Sequence, residues 1–436
     1  PIPALPYSTD GDYATFSDTE QAEIKRIWQR VAEDYAPFDI DVTTERPASF
    51  DRRTAHALIT RNTDANGDGN PAPNAGGVAY IDVFNLHSYD YYRPAWIYVN
   101  NLGSRAAYAA EAASHEIGHN MGLSHDGRTD GVNYYSGHGS GETSWAPIMG
   151  SAYTRNVSQW SKGEYYLANN TEDDLAIIAN KLDYRTDDHG GAFTDATPLV
   201  FTDGSNIVST TPATDPDNLA PDNKGAIEQN DDFDFFVFDA GAGPLHIEVH
   251  PTAMPVSTRG GNLDIELRLF DAEEALVSLV DPSSATDAAI DATVPAGRYY
   301  LQVTGRGTGA PLSSSPTGYT GYNSMGRYFI QGYITEPLVV DPLALYRADM
   351  DSDPNWTLTG AWAYGTPAGN AGDPASGYDG TAVVGYNLDG VYAANTDPSY
   401  ALTPPVDCSA ATESVTLRFK RWLGVSSGDN AAIDVS

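Results

Sequence analysis

The chain is poor in cysteine and in lysine. Cys408 is the one cysteine in 436 residues, so no disulfide can form within the chain, and folding rests on apolar cores and on any metals it binds. Such avoidance of cysteine suits a reducing compartment or bacterial secretion equally. Lysine occurs at five positions only (25, 162, 181, 224 and 420), and Lys plus Arg reaches 24 against 59 Asp plus Glu, a net charge of −35. A field of that sign repels phosphate backbones and anionic bilayers, which excludes nucleic-acid binding as a function. There is no run of ~18 apolar residues, so no membrane-spanning helix is expected. A wholly disordered chain is excluded as well, because 41% of the residues are hydrophobic and 27 are Tyr. What remains is an acidic, multidomain globular protein of about three times the usual ~150-residue domain. Position 1 is Pro, and residues 431–436 alternate like a strand to the last residue. The expectation is a processed chain that continues past 436.

The pattern divides the chain in three. Residues 18–36 read as a helix, with Ser17 and Glu20 spaced as a capping box and Pro37 as the stop. Residues 38–43, 56–60, 77–84 and 96–99 alternate as strands. An Ala-rich helix is expected over 104–122, an irregular Gly- and Ser-rich stretch over 124–170, and a last helix over 171–183 capped by Thr171. After a linker at 187–191 the texture turns to short alternating strands between Gly, Pro and Asp turns, including 232–239, 245–250, 263–271, 297–304 and 326–334. A second break falls near Pro337 and Pro342. The expected domains are 1–186, 192–336 and 338–436, an α+β domain followed by all-β sandwich domains.

Chemistry concentrates in His115-Glu116-Ile117-Gly118-His119-Asn120-Met121-Gly122-Leu123-Ser124-His125-Asp126. Positions i and i+4 of a helix share one face, so His115 and His119 project together and can hold one Zn²⁺. Glu116, one residue along, reaches a metal-bound water from the side. Gly122 permits a sharp turn with φ > 0, which brings His125 back as a third nitrogen ligand. Three protein ligands leave one position open, the mark of a catalytic zinc rather than a structural one.

This segment resembles the zinc signature of the metzincin metallopeptidases. Asn120 and Asp126 are most similar to the reprolysin or adamalysin-like branch. Pro147-Ile148-Met149-Gly150 resembles the family's Met-turn, with Met149 as its methionine. One departure is that Ala146 and Pro147 stand where reprolysins often carry a Cys. The resemblance spans 1–186 and implies a metzincin domain with a mixed twisted sheet and an active-site helix. It also implies peptide hydrolysis with Glu116 as general base, and substrate held extended along an edge strand, for which 77–84 is the candidate. Tyr153, four residues after Met149, is a further candidate near the metal.

Asp64-Ala65-Asn66-Gly67-Asp68-Gly69 begins like an EF-hand loop, but its twelfth position is Ala75, so Asp64, Asn66 and Asp68 are either calcium ligands or a polar turn. Asn230-Asp231-Asp232-Phe233-Asp234, together with 262–265 and 294–301, resembles the bacterial pre-peptidase C-terminal domain over about 192–336. That resemblance implies Ca²⁺ held by clustered carboxylates. His138 and His189 sit in Gly- or Asp-rich loops and read as solvent-exposed, with metal ligation as the alternative. Residues 338–436, with an alternating run at 417–423, resemble the start of a jelly-roll or carbohydrate-binding sandwich; Trp356, Trp362, Tyr378 and Tyr392 are expected in its core, or else stacked on sugars. The function expected is a secreted zinc endopeptidase carrying one Zn²⁺ and structural Ca²⁺. It would come from a marine or otherwise salt-tolerant bacterium, with glycan or matrix contacts through its β domains. The competing readings are a glycoprotein-directed, mucinase-like zincin and a metal-dependent adhesin.

Overall fold

The structure is a computed structural model and describes residues 2–209, 222–252, 260–337, 345–370, 372–378, 380–391, 397–409, 415–422 and 432–433. The chain forms two compact units, Pro1–Pro337 and Leu338–Ser436.

In the first unit, α1 (Asp18–Asp34) opens with the expected capping box: Glu20 N–H donates to the Ser17 hydroxyl while the Glu20 carboxylate accepts from Ser17 N–H. β1 (Ala57–Thr60), β2 (Gly77–Val78), the short α2 (Tyr89–Tyr92) and β3 (Ala95–Tyr98) follow. They build a three-stranded sheet in the order β1-β3-β2, with β1 parallel and β2 antiparallel to the central strand. α3 (Ala106–Met121) packs on this sheet and on α1 through its alanines, of which Ala109, Ala110, Ala112 and Ala113 are buried. β4 (Trp145–Pro147) and β5 (Val157–Gln159) pair in parallel, and α4 (Asp174–Leu182) closes the helical part.

Three expected elements are shorter than their patterns. The strand at 77–84 ends at Val78, because the amides of Asp82, Val83 and Phe84 donate instead to the carbonyls of His119 and Asn120. Those carbonyls are the orphan acceptors at the end of α3, so capping the helix competes with extending the sheet. Residues 38–43 form only a bridge from Phe38 to Tyr184, and the Val42 carbonyl accepts from the Trp28 indole at 2.5 Å. α4 starts three residues late, with Asp173 rather than Thr171 as its cap, its carboxylate accepting from Ala176 N–H at 3.0 Å. The Glu172 carboxylate just before it accepts from Ser124 N–H, which holds 171–173 in the loop.

Beyond α4 the described residues contain strands and no helix. β6 (Thr197–Pro198), β7 (Phe201–Thr202), β8 (Asn206–Ile207), β9 (Lys224–Ile227), β10 (Asp234–Ala240), β11 (Gly243–Pro251), β12 (Ile265–Phe270), β13 (Leu276–Val280), β14 (Ala288–Val294), β15 (Gly297–Gly305), β16 (Thr308–Gly309), β17 (Gly318–Tyr319) and β18 (Gly326–Tyr333) follow in turn. Two sheets form, β13-β12-β15-β10-β6 and β14-β11-β18-β8-β7, with β9 paired to β18. Alternate residues point inward: Leu245, Ile247 and Val249 of β11 and Leu267 and Leu269 of β12 are at most 1% exposed. The sandwich also bonds directly to the helical part. Ser158 N–H donates to Gly261 O, Trp160 N–H to the Asn323 carboxamide and Arg327 N–H to the Glu33 carboxylate.

The second unit holds two small antiparallel pairs. β19 (Thr357–Leu358) pairs with β22 (Ala401–Leu402), and β20 (Trp362–Gly365) with β21 (Val383–Tyr386). Trp356 and Trp362 are only half-buried and Tyr378 is exposed, contrary to the expected core, since two-stranded pairs have no second layer to enclose them. Residues 417–422 form no strand. Tyr392, Leu423 and residues 431 and 434–436 lie outside the described residues.

Candidate active site

α3 places His115 and His119 on one face, their ring centroids 4.8 Å apart. His115 Nδ1 lies 2.8 Å from the carbonyl oxygen of Ile148, and His119 Nδ1 lies 2.7 Å from that of Leu123. A carbonyl only accepts, so both rings carry their proton on Nδ1 and present the Nε2 lone pair. Gly122 ends the helix at φ +120°, and the N–H of Leu123 returns to the carbonyl of Gly118 at 3.0 Å. The chain reverses, and His125 comes back to put Nε2 at 2.9 Å from His119 Nε2. One nitrogen of each of the three rings lies within 4.8 Å of the other two. Burial pushes all three imidazoles toward the neutral form, His115 to about 3, and the neutral form is the one that ligates.

Glu116 is 7% exposed and has no hydrogen-bond partner among the described residues; burial pushes its carboxyl up to about 8. A nearby dication favours the charged form and brings it back down. Tyr153 packs on Tyr108, the rings tilted with centroids 5.1 Å apart, and its hydroxyl faces Gly76, just before β2. Burial first, then the charge of Glu116, raises that phenol to about 12. Met149 is fully buried under α3, where a Cβ on Gly118 would come 2.7 Å from its sulfur. Asp126 N–H donates to the Met149 carbonyl at 2.9 Å, and Asp126 itself is buried, 1% exposed. Tyr134 escapes sequence reasoning. Its ring lies 4.4 Å from that of His125 and 6.4 Å from that of His115, yet it sits in an aperiodic Gly-Val-Asn-Tyr-Tyr-Ser run that carries no signal.

The other candidates fall elsewhere. In the 64–68 loop, Asp64 accepts from the N–H groups of Asn66 and Asp68, so its carboxylate closes a turn. His138 and His189 are buried, not exposed. His138 Nε2 donates to Gly318 O while Nδ1 accepts from Tyr135, and the His189 nitrogens engage Lys224 O and Thr197. A second cluster, unforeseen in its full membership, forms where α4 leads into the sandwich. Asp187, Asp232 and Asp234 converge within 4.8 Å, as do Asp187, Asp188 and Glu228. Glu228 is 1% exposed, and neither of its carboxylate oxygens has a hydrogen-bond partner.

Residues 12–161 match the family model Reprolysin_5, metallo-peptidase family M12. That stretch of the chain is therefore similar to an M12 metallopeptidase domain. M12 metallopeptidases use zinc, and a histidine triplet, His115, His119 and His125, is present within the matched stretch. No curated protein matches the chain. Among solved structures, the pre-peptidase C-terminal domain of collagenase from Bacillus anthracis is 17% identical over 25% of this chain and 84% of that one, with a TM-score of 0.17. PliG of Aeromonas hydrophila, a periplasmic inhibitor of g-type lysozyme, is 14% identical over 32% of this chain and 96% of that one, with a TM-score of 0.19. No helix among the described residues is long and apolar enough to cross a membrane.

Proposed function

We propose that the chain is a secreted zinc endopeptidase whose metal is held by His115, His119 and His125. The observation that carries this reading is the convergence of the three imidazoles, two with their Nδ1 atoms committed to carbonyls, beside a buried carboxylate. The residues fit the ion: two ligands held ~2.1 Å from a tetrahedral centre would stand about 3.4 Å apart, and the Nε2 atoms of His119 and His125 lie 2.9 Å apart. When bound, zinc supplies Lewis-acid polarisation of a carbonyl and acidifies water. Glu116 accepts a proton from water as its oxygen bonds to the scissile carbon, then passes that proton to the amine as the C–N bond breaks. β2 is the edge of its sheet, and its free backbone groups suit an extended substrate chain. Tyr153 lines the same wall, and Tyr134 covers the third ligand.

Calcium is assigned to the junction cluster rather than to the 64–68 loop. Glu228 and Asp234 bring buried carboxylate oxygens that no donor satisfies, whereas Asp64 already holds its own turn. The acidic surface fits an extracellular, salt-rich setting, where screening shortens repulsion to within ~10 Å.

The test is a zinc and calcium count per purified chain together with cleavage of casein, with and without chelator, by the natural chain and by Glu116→Gln. Chelator-sensitive cleavage and a loss of at least ~10³-fold in the variant, with zinc retained, are expected. Absence of any chelator-sensitive cleavage overturns the endopeptidase reading. Cleavage confined to glycosylated substrates turns it to the mucinase-like one.

A further inference from the structure

Resting on the zinc-peptidase reading, we propose that Gly77 is a positioning residue for Glu116, its bare backbone being the seat of that carboxylate. Gly77 lies in β2, opposite Ile97 of β3, and its φ is outside the left-handed region. Any residue could adopt that backbone conformation, so glycine is needed there for space rather than for a turn. The space is already filled. A Cβ at position 77 would stand 2.6 Å from Oε1 of Glu116 and 2.7 Å from its Cγ.

No hydrogen bond among the described residues fixes the carboxylate, although Glu116 is nearly buried. A long side chain without polar contacts keeps one rotamer only if packing excludes the others. On the strand side the packing is Gly77, with the Trp96 carbonyl 2.8 Å from the same Cβ position. Beside it, a Cβ on Gly76 would meet Leu102 Cδ2 at 2.9 Å and only touch the Tyr153 hydroxyl at 3.5 Å. At Gly76 the tight contact is with Leu102, while the Tyr153 hydroxyl would be in ordinary contact, so it is Gly77 that a functional side chain needs bare. A methyl group at 77 drives the carboxylate away from the strand, toward the space the attacking water needs. An error of about 1 Å in such a group is enough for a ~10²-fold loss of rate.

A double-variant cycle on the full zinc-loaded chain tests this: Gly77→Ala, Glu116→Ala and the pair, read by thermal unfolding, with kinetics on Gly77→Ala alone. The expected result is a Tm drop for Gly77→Ala that largely vanishes when Glu116 is already Ala, leaving the part due to the Trp96 carbonyl. In the natural background, kcat falls ~10²-fold while KM stays within about twofold and zinc content is unchanged. Equal Tm drops in the two backgrounds overturn the proposal, as does an unchanged kcat. Should Gly77→Ala alone fail to fold, the pair is expected to fold, and a pair no more stable than Gly77→Ala overturns it. Tm coupling is read without any substrate, so a failure of the peptidase reading and a failure of the seat give different results.

Discussion

His115 Nδ1 donates to the carbonyl of Ile148, 2.8 Å away and one residue before Met149. The bond ties the first candidate ligand on α3 to the segment beneath it, so the tautomer and ring angle of the imidazole follow from where β4 delivers the chain. Outer contacts of this kind orient metal-ligating histidines. Asp126 N–H, donating to Met149 O, adds the same tie for the segment of the third histidine.

Gly118 is expected to resist substitution although it stands mid-helix. Alanine there gains ~0.5–1 kcal/mol of helix propensity. Its methyl, however, would lie 2.7 Å from the Met149 sulfur and 3.2 Å from the Trp160 ring, and overpacking costs ~1–3 kcal/mol. Denaturant unfolding of Gly118→Ala should show a net loss; a more stable variant would show that Met149 yields freely.

The sandwich is expected to hold the layer that carries the three histidines in place. Asn323, fully buried, accepts from Trp160 N–H at 2.7 Å. Asn323→Ala leaves that amide unsatisfied, at ~1–3 kcal/mol. Loss of zinc to a chelating dye should be faster in the variant, and an unchanged release rate would confine Asn323 to a purely local role.

Calcium should stabilise the chain more at pH 8 than at pH 5. Burial and neighbouring carboxylates raise Asp234 to about 9 and Glu228 to about 10. Folded, these acids hold protons that the unfolded chain releases near pH 4, so without a cation stability falls as pH climbs from about 4 through 9 to 10. A cation replaces those protons and removes the loss. Calorimetric Tm values with and without Ca²⁺ at the two pH values check this, and an equal or absent shift at both contradicts the site. Glu228→Gln should lose most of the gain.

Glu33 carries a second pH signature. Burial first, offset by Arg327, raises its carboxyl to about 7. The sign is the same: stability is lost as pH rises from about 4.5 through 7. Glu33→Gln keeps an acceptor for Arg327 N–H and removes the buried charge, so it should gain on the order of 1 kcal/mol at pH 8 and nothing at pH 5. Equal effects at both values, followed by urea unfolding, would refute it.

The convergence of the three histidines was legible because helical spacing and one glycine dictate it locally. His115 and His119 need only i, i+4, and Gly122 took the positive φ its position demanded. The capping box of Ser17 and Glu20 was legible for the same reason. What stayed hidden depends on contacts distant in sequence. The run 77–84 alternates like a strand, but the unmet carbonyls of α3 take its amides. Thr171 looks like a cap until Asp173 competes with it. His138 and His189 sit in polar loops, yet each is buried by backbone carbonyls from the sandwich, Gly318 and Lys224. Tyr134 and Glu228 have no periodicity to mark them; only the folded chain brings them to their neighbours.

The bonds from Ser158, Trp160 and Glu33 to Gly261, Asn323 and Arg327 of the β-sandwich change what the connection at 183–191 does. Severing that connection would not free either half. The peptide there is a tether between surfaces already fastened to each other, so a nicked molecule would travel, bind and unfold as one particle until denaturant pulled the pieces apart.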